Sequence, residues 1–254
     1  MKRLALIGIG SGHPEQITVQ AINALNRTDV FFVLDKGYEK RELTALRVEI
    51  CERYIDKPGY RLVYVQDPRR DSHSTDYPGS VQAWHQQRAR LLARLVDRDL
   101  QDGQSGAFLV WGDPSLYDAT LRVVEHMRAS GLAFEYQVIP GISSVQALAA
   151  QHRIGLNRVG EPVHITTGRQ LADMPVQAID NLVVMLDGHC AFAALEDDDL
   201  EIFWGAYLGT PDELLVAGRL VEVRERILAL RAEARQRKGW IMDTYLLRRP
   251  AGCP

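Results

Sequence analysis

Short apolar runs alternate with amphipathic stretches along the first half of the chain. Leu4–Ile9 is a nearly continuous apolar run that ends at glycines, which is typical of a strand buried on both faces. A glycine-rich turn follows, and then an amphipathic stretch from Ile17 to Leu25, which is predicted as a helix with Pro14 near its N-terminus. A second apolar run, Val30–Leu34, comes next. This order of strand, turn, helix and strand predicts a βαβ unit with a right-handed crossover.

The alternation continues to about Pro140. Further strands are predicted at Tyr60–Val65, Ala107–Trp111 and Phe134–Ile139, and helices at Leu43–Tyr54, Ser80–Leu100 and Leu121–Met127. Strands that alternate with helices in this way predict an open, largely parallel α/β sheet.

Beyond residue 141 the pattern changes. It predicts a short helix at Val145–Ala150, strands at Val163–Thr166, Leu182–Leu186 and Ile202–Leu208, a long helix from Leu220, and a last strand within Trp240–Leu247. We therefore predict two α/β domains, residues 1–140 and 141–254, joined near Pro140.

Composition narrows the class of protein. The chain has 254 residues, of which 46% are hydrophobic, and a formal net charge of -3, so no nucleic-acid or membrane-surface partner is expected. No apolar run approaches the roughly 20 residues of a membrane helix. Three widely spaced cysteines predict neither a disulfide framework nor a zinc site, and no metal is expected. We expect a soluble, cytoplasmic protein.

Gly8, Gly10 and Gly12 form a G-x-G-x-G pattern directly after the first predicted strand. Glycines at such a place let the backbone approach a ligand closely, or make a tight turn into a helix. His13 stands where the dinucleotide-binding fingerprint has its third glycine, and Asp35 resembles the ribose-binding acid of that fold. The pattern alone leaves open a structural turn, a cofactor loop and an NAD-linked oxidoreductase.

Two further motifs follow predicted strands. Trp111–Asp118 (WGDPSLYD) contains Asp113, and Pro140–Ser144 (PGISS) ends in Ser143 and Ser144. Open α/β sheets bind ligands at the carboxyl ends of their strands, but aspartate and serine also cap helices there. Each motif by itself is compatible with a ligand site and with a plain helix cap.

In combination, the order and spacing of these motifs resemble the tetrapyrrole methylase family. The resemblance rests on G-x-G-x-G with the Ile17-Thr18 pair, on GDPSLY and on PGISS, and it runs from Met1 to at least Leu220. It implies two α/β domains with S-adenosylmethionine (SAM) in the cleft between them, a homodimer, and methylation of a tetrapyrrole. His13 departs from the family, where many members have an acid, and Ser11 replaces a common proline.

The resemblance also implies roles for individual residues. The residues that correspond to SAM contacts are Ser11, Trp111, Gly112, Asp113, Leu116, Ser143, Ser144, Leu186, Tyr207, Leu208, Ala217 and Gly218. In the family the first glycine loop borders the tetrapyrrole, which gives Gly10 and Gly12 a substrate-binding role. The polycarboxylate substrate leads us to expect Lys36, Arg69 and Arg70 along its rim.

The stretches VFFVLDKG, GAFLVWGDPSLYD and HRIGLNRVGEPVHITTGR are most similar to those of family members that join methylation to deacetylation. The expected reaction is methylation of precorrin-5 at C1, with release of the C20 acetyl group as acetate. Deacetylation requires a base and a hydrogen-bond donor, for which Asp113, His13 and Tyr117 are the candidates. The alternatives are another methyltransferase of the family, an NAD-linked oxidoreductase, or an inactive carrier of tetrapyrroles.

Overall fold

The computed structural model of the chain describes residues 1–35, 37, 41–68 and 77–250. Its contacts divide the chain into two compact units. Unit 1 comprises Met1–Gly10 and Pro14–Ser143, and unit 2 comprises Ser11–His13 and Ser144–Pro254. Three residues of the glycine-rich loop therefore belong, by their contacts, to the unit formed by the second half of the chain.

Unit 1 contains a parallel sheet with the strand order β3-β2-β4-β1-β5. Its strands are β1 (Lys2–Gly8), β2 (Val30–Asp35), β3 (Arg61–Gln66), β4 (Ser105–Val110) and β5 (Phe134–Ile139), and its helices are α1 (Val19–Leu25), α2 (Arg41–Tyr54), α3 (Tyr77–Asp99) and α4 (Thr120–Ala129). The predicted parallel α/β sheet is confirmed.

Helices cover both faces of this sheet. On one face α3 and α4 pack against Leu6 and Phe108, and on the other α1 and α2 pack against Ile7 and Leu109. Successive residues of a strand point to opposite faces, so both sets must be apolar. This explains why the first strand reads as a continuous apolar run in the sequence.

The start of α1 differs from the prediction, which placed it near Pro14. Pro14–Gln16 forms a separate 3₁₀ turn, and α1 begins after Thr18, whose hydroxyl accepts a hydrogen bond from the Ala21 N–H at 3.1 Å. Threonine is a better N-cap than the residues around Pro14 because its side chain satisfies an otherwise unpaired amide of the first turn.

Unit 2 contains a mixed sheet with the strand order β6-β7-β10-β8-β9. Its strands are β6 (His164–Thr167), β7 (Leu182–Met185), β8 (Glu201–Ala206), β9 (Leu214–Arg219) and β10 (Asp243–Arg248), and its helices are α5 (Ser144–His152), α6 (Gly168–Ala172) and α7 (Leu220–Lys238). β10 is antiparallel to both β7 and β8, so β7 and β8 end at the same edge of the sheet. None of the helices in the described ranges is long and apolar enough to cross a membrane.

Candidate functional site

Three glycines meet at the carboxyl ends of neighbouring strands in unit 1. Gly8 ends β1, Gly112 follows β4 and Gly141 follows β5. A Cβ atom on Gly8 would lie 2.6 Å from the Gly141 nitrogen, and one on Gly141 would overlap the Gly112 carbonyl oxygen and lie 2.8 Å from the Gly8 Cα. Side chains at these two positions are therefore excluded by backbone atoms, which cannot move aside as a flexible side chain can.

Gly112 differs from the other two glycines. It has a positive φ of 71°, and a Cβ atom there would meet only the Ser143 Cα, at 3.7 Å. Its N–H donates to the Gly10 carbonyl at 2.7 Å, which fixes the turn after β4 against the glycine-rich loop. Gly112 is itself buried, but space for a Cβ atom remains beside it, at the edge where α/β sheets bind ligands.

Asp113 holds the two loops of this edge together. One carboxylate oxygen accepts the N–H of Ser115 at 2.8 Å and the Ser115 hydroxyl, and the other accepts the Gly141 N–H at 2.8 Å. Burial acts to raise the pKa of Asp113, but these hydrogen bonds outweigh it, so that the pKa lies below its ordinary value. A carboxylate that is already engaged and weakly basic is suited to positioning the loop more than to taking a proton.

Tyr117 lies at the end of the same motif with a positive φ of 51°. Its ring is 44% exposed, and partial burial raises the pKa of its hydroxyl, which therefore stays protonated at neutral pH. A left-handed backbone is unfavourable for a residue with a bulky side chain, and such strain is concentrated at functional sites. The role of Tyr117 as a hydrogen-bond donor stays a prediction.

Two other predicted residues share this unusual backbone, and both lie in unit 2. Leu186 follows β7 with a φ of 54°, and Tyr207 follows β8 with a φ of 50°. The Leu186 side chain is 61% exposed, whereas the Tyr207 hydroxyl donates to the Trp240 carbonyl at 2.6 Å inside the core. Leu186 can offer a ligand its side chain, whereas the Tyr207 backbone is engaged within the chain, since its N–H donates to the Met242 carbonyl at 3.0 Å.

The turn after β7 is held by Asp187. Its carboxylate accepts hydrogen bonds from the Tyr245 hydroxyl at 2.6 Å, the Ala191 N–H at 2.7 Å and the His189 N–H at 3.1 Å. These bonds tie the turn to β10 and keep Leu186 in its left-handed conformation.

The serines of PGISS are divided between the units. Ser143 belongs to unit 1 and is 4% exposed, while Ser144 is the first residue of α5 in unit 2. The Ser144 hydroxyl lies 2.9 Å from the Thr244 hydroxyl on β10, next to the end of β7. Ser144 therefore ties α5 to the same sheet edge that carries Leu186.

The glycine-rich loop is explained largely by packing. Gly10 has a φ of 87°, and a Cβ atom there would lie 2.7 Å from the Gln16 Cβ. A Cβ atom on Gly12 would overlap the Leu208 carbonyl oxygen in unit 2. Both glycines are thus required by the fold itself, and their predicted contact with substrate stays a prediction. Ser11 in this loop is buried and His13 is exposed.

The remaining predicted residues occupy several environments. Trp111 and Leu116 flank the open turn at Gly112 and are partly buried, Leu208 is buried after β8, and Ala217 and Gly218 lie on β9. Lys36, Arg69 and Arg70 lie outside the described residues. Within the described ranges, no group of three or more His, Cys, Asp or Glu side chains has the arrangement of a metal site.

Sequence comparison gives close relatives. A family model described as Tetrapyrrole (Corrin/Porphyrin) Methylases matches residues 3–224. The chain is 53% identical over 252 residues to a deacetylating precorrin-6A synthase of a Sinorhizobium species, and the match covers 99% of this chain and 97% of that protein. It is 27% identical over 149 residues, 57% of this chain and 27% of the other, to the cobalamin biosynthesis protein CobIJ of Mycobacterium bovis.

Structural comparison agrees. A protein of Corynebacterium diphtheriae described as related to cobalamin synthesis (CobF) has a TM-score of 0.85 and 42% identity, covering 98% of this chain and 99% of that chain. The uroporphyrin-III C-methyl transferase of Thermus thermophilus complexed with S-adenyl homocysteine has a TM-score of 0.56 and 22% identity, covering 96% and 91%. The second likeness is evidence of a shared fold.

Proposed function

The chain belongs to the tetrapyrrole (corrin/porphyrin) methylase family, and we propose that it methylates precorrin-5 at C1 and releases the C20 acetyl group as acetate, giving precorrin-6A. The nearly full-length likeness to the Sinorhizobium enzyme carries this assignment. The enzyme is a SAM-dependent methyltransferase. The NAD-linked alternative does not fit this family, and His13 already breaks the fingerprint on which it rested.

The unfilled space beside Gly112 is the structural observation that fits SAM. Backbone atoms occupy the space that a Cβ atom would take at Gly8 and at Gly141, whereas the corresponding space at Gly112 is unfilled. SAM supplies a methyl group on a sulfonium, so transfer to an electron-rich carbon depends chiefly on alignment at about 3 Å. The chain accordingly has to bind and orient, and we assign binding to the backbone around Gly112 and orientation of that turn to Asp113.

Unit 2 supplies the other predicted SAM contacts. Leu186 presents an exposed apolar side chain beside its strand end, and Tyr207 and Leu208 follow β8 at the same sheet edge. An apolar side chain is suited to packing on a flat purine ring. The assignment of Leu186 follows from the family resemblance and from its exposure, and the assignments of Tyr207 and Leu208 follow from the resemblance.

Deacetylation requires side chains that act as a base and as a hydrogen-bond donor. A water molecule adds to the acetyl carbonyl carbon, the bond from that carbon to C20 breaks with its electron pair remaining on the macrocycle, and acetate leaves. The water must lose a proton, and the oxyanion must receive a hydrogen bond. Because the Asp113 carboxylate is engaged by Ser115 and Gly141, we favour His13 as the base. Tyr117, which stays protonated, is the donor.

The proposal extends to the oligomeric state and the cellular location of the enzyme. The family resemblance leads us to propose a homodimer, which light scattering would reveal as twice the mass of one chain. The near-neutral net charge of -3 supports a small-molecule tetrapyrrole partner and no nucleic acid. We also propose that the chain acts in the cytoplasm.

The cofactor assignment can be tested by calorimetry. We expect the purified chain to bind SAM with micromolar affinity and to give no heat with NAD, because His13 stands where the dinucleotide-binding fingerprint has its third glycine. The product S-adenosylhomocysteine, which keeps the same purine and ribose, should bind as well. Micromolar binding of NAD without binding of SAM would contradict the methyltransferase assignment.

A further inference from the structure

Strands β2 and β4 separate towards their carboxyl ends. They pair at Val30 with Gly106 and at Phe31 with Ala107, although both strands continue for several residues beyond these pairs. Neighbouring carbonyls of a strand point to opposite sides, and the Val110 carbonyl accepts the Ile9 N–H on the β1 side. The Leu109 carbonyl therefore faces β2, where no strand partner meets it.

Arg47 of α2 fills this gap. Its Nε donates to the Leu109 carbonyl at 3.0 Å, and one terminal nitrogen donates to the Leu43 carbonyl at 2.6 Å. The guanidinium thus takes the hydrogen bond that a neighbouring strand would otherwise make. Both acceptors are neutral carbonyls, so neither balances the positive charge.

Arg47 is partly buried, and its charge has no ion-pair partner among the described residues, unlike the charges of the buried Arg88 and Arg231. Arg88 lies 2.9 Å from Asp67, and Arg231 lies 2.9 Å from Asp243. Asp118 and Asp67 act on Arg47 only through their longer-range fields, which Arg88 opposes. Burial lowers the pKa of Arg47 to about 10, so the side chain stays charged at neutral pH. A cation in this position is costly unless an anion joins it.

The surroundings place this cation beside the candidate site. Leu109 lies three residues before Gly112 on the same strand end, and Asp118 closes the WGDPSLYD motif. Arginine presents a planar fork that matches a carboxylate, and its second terminal nitrogen makes none of the contacts above. The preferred ligand is therefore a carboxylate that reaches the carboxyl edge of the unit 1 sheet.

We propose that Arg47 binds a carboxylate side chain of the tetrapyrrole substrate. The proposal rests on the proposed function, since a precorrin carries several acetate and propionate groups around its ring. Lys36, Arg69 and Arg70 were predicted for the substrate rim from the sequence; Arg47 adds a fixed cation close to the turn at Gly112. It would set the orientation of the macrocycle through one of its carboxylates.

The test compares Arg47→Met with Arg53→Met. Both variants remove one arginine from α2, but Arg53 is 43% exposed and paired with Glu15 at 2.6 Å. We expect Arg47→Met to raise the KM for precorrin-5 about 30-fold, and to weaken binding of the octacarboxylate uroporphyrin III by a similar factor, since a hydrogen-bonded charge is lost. Arg53→Met should change either value by less than about twofold. SAM affinity should be unchanged in both.

Arg47→Lys covers the case in which the Met variant does not fold. Lysine keeps the charge without the fork, so we expect a rise in KM of about fivefold with SAM binding intact. If Arg47→Met folds and behaves like Arg53→Met, the carboxylate site is refuted. Failure of the wild-type chain to convert precorrin-5 would contradict the proposed function instead, and the uroporphyrin titrations of the same variants would still decide the role of Arg47.

Discussion

Replacing Gly112 with valine should abolish detectable SAM binding while the chain stays folded. The valine methyl groups would occupy the open space beside Gly112, where the nearest atom to an added Cβ is the Ser143 Cα at 3.7 Å. Because the chain itself does not fill that space, the loss would fall on the ligand. We expect SAM affinity to fall by more than about 100-fold, because the valine methyl groups would overlap the bound SAM.

Gly103→Val is the matched control. Gly103 precedes β4, whereas Gly112 follows it, and it combines a φ of 86° with open space for a Cβ atom. In each variant, the left-handed backbone of the valine should lower the free energy of unfolding by about 1–2 kcal/mol, which denaturant unfolding would measure. Calorimetry should then show normal SAM binding in Gly103→Val alone. Equal SAM affinities in the two variants would refute the placement of SAM at Gly112.

Replacing Gly141 with alanine should destabilise unit 1 severely. The added Cβ would overlap the Gly112 carbonyl oxygen and lie 2.8 Å from the Gly8 Cα, so one of three strand ends must move. The Gly141 N–H would also leave the Asp113 carboxylate, which it meets at 2.8 Å. We expect a loss of about 3–5 kcal/mol in the free energy of unfolding, together with a loss of SAM binding.

Gly155→Ala serves as the control, because its Cβ would make an ordinary contact of 3.4 Å with the Asn157 carbonyl oxygen. Its stability should stay within about 0.5 kcal/mol of the wild-type value. Urea unfolding of both variants, followed by far-ultraviolet circular dichroism, makes the comparison. A wild-type unfolding midpoint for Gly141→Ala would show that the three glycine backbones are not packed as described.

The sequence predicted the central strands of unit 1 well because β1, β2 and β4 are largely buried on both faces and appear as apolar runs bounded by turns. The edge strand β5 is largely exposed between its two ends, and its bounds, Phe134–Ile139, were predicted from its position in the alternation of strands and helices. In unit 2 the strand β9 was missed, because Leu214–Arg219 runs directly into the apolar pattern of α7. The start of α1 was wrong because proline at a first turn and threonine at a cap are competing helix-start patterns.

The candidate site was predictable as a set of motifs but not as a geometry. Sequence spacing placed Asp113 in a ligand loop, yet one of the hydrogen bonds that occupy its carboxylate comes from Gly141, 28 positions away. Arg47 was missed altogether: it lies in a helix of mixed charge, and only the separation of β2 and β4 gives it a role. Long-range contacts of this kind leave no pattern in a single sequence.

In the proposed reaction, one methyl transfer is joined to the loss of one acetyl group. The yields of S-adenosylhomocysteine and of acetate from precorrin-5 and excess SAM under anaerobic conditions test this coupling. We expect one molecule of each for every precorrin-5 consumed. S-adenosylhomocysteine without acetate would identify a different methyltransferase of the family, and the absence of both products would indicate a tetrapyrrole carrier. Either result would contradict the proposed reaction.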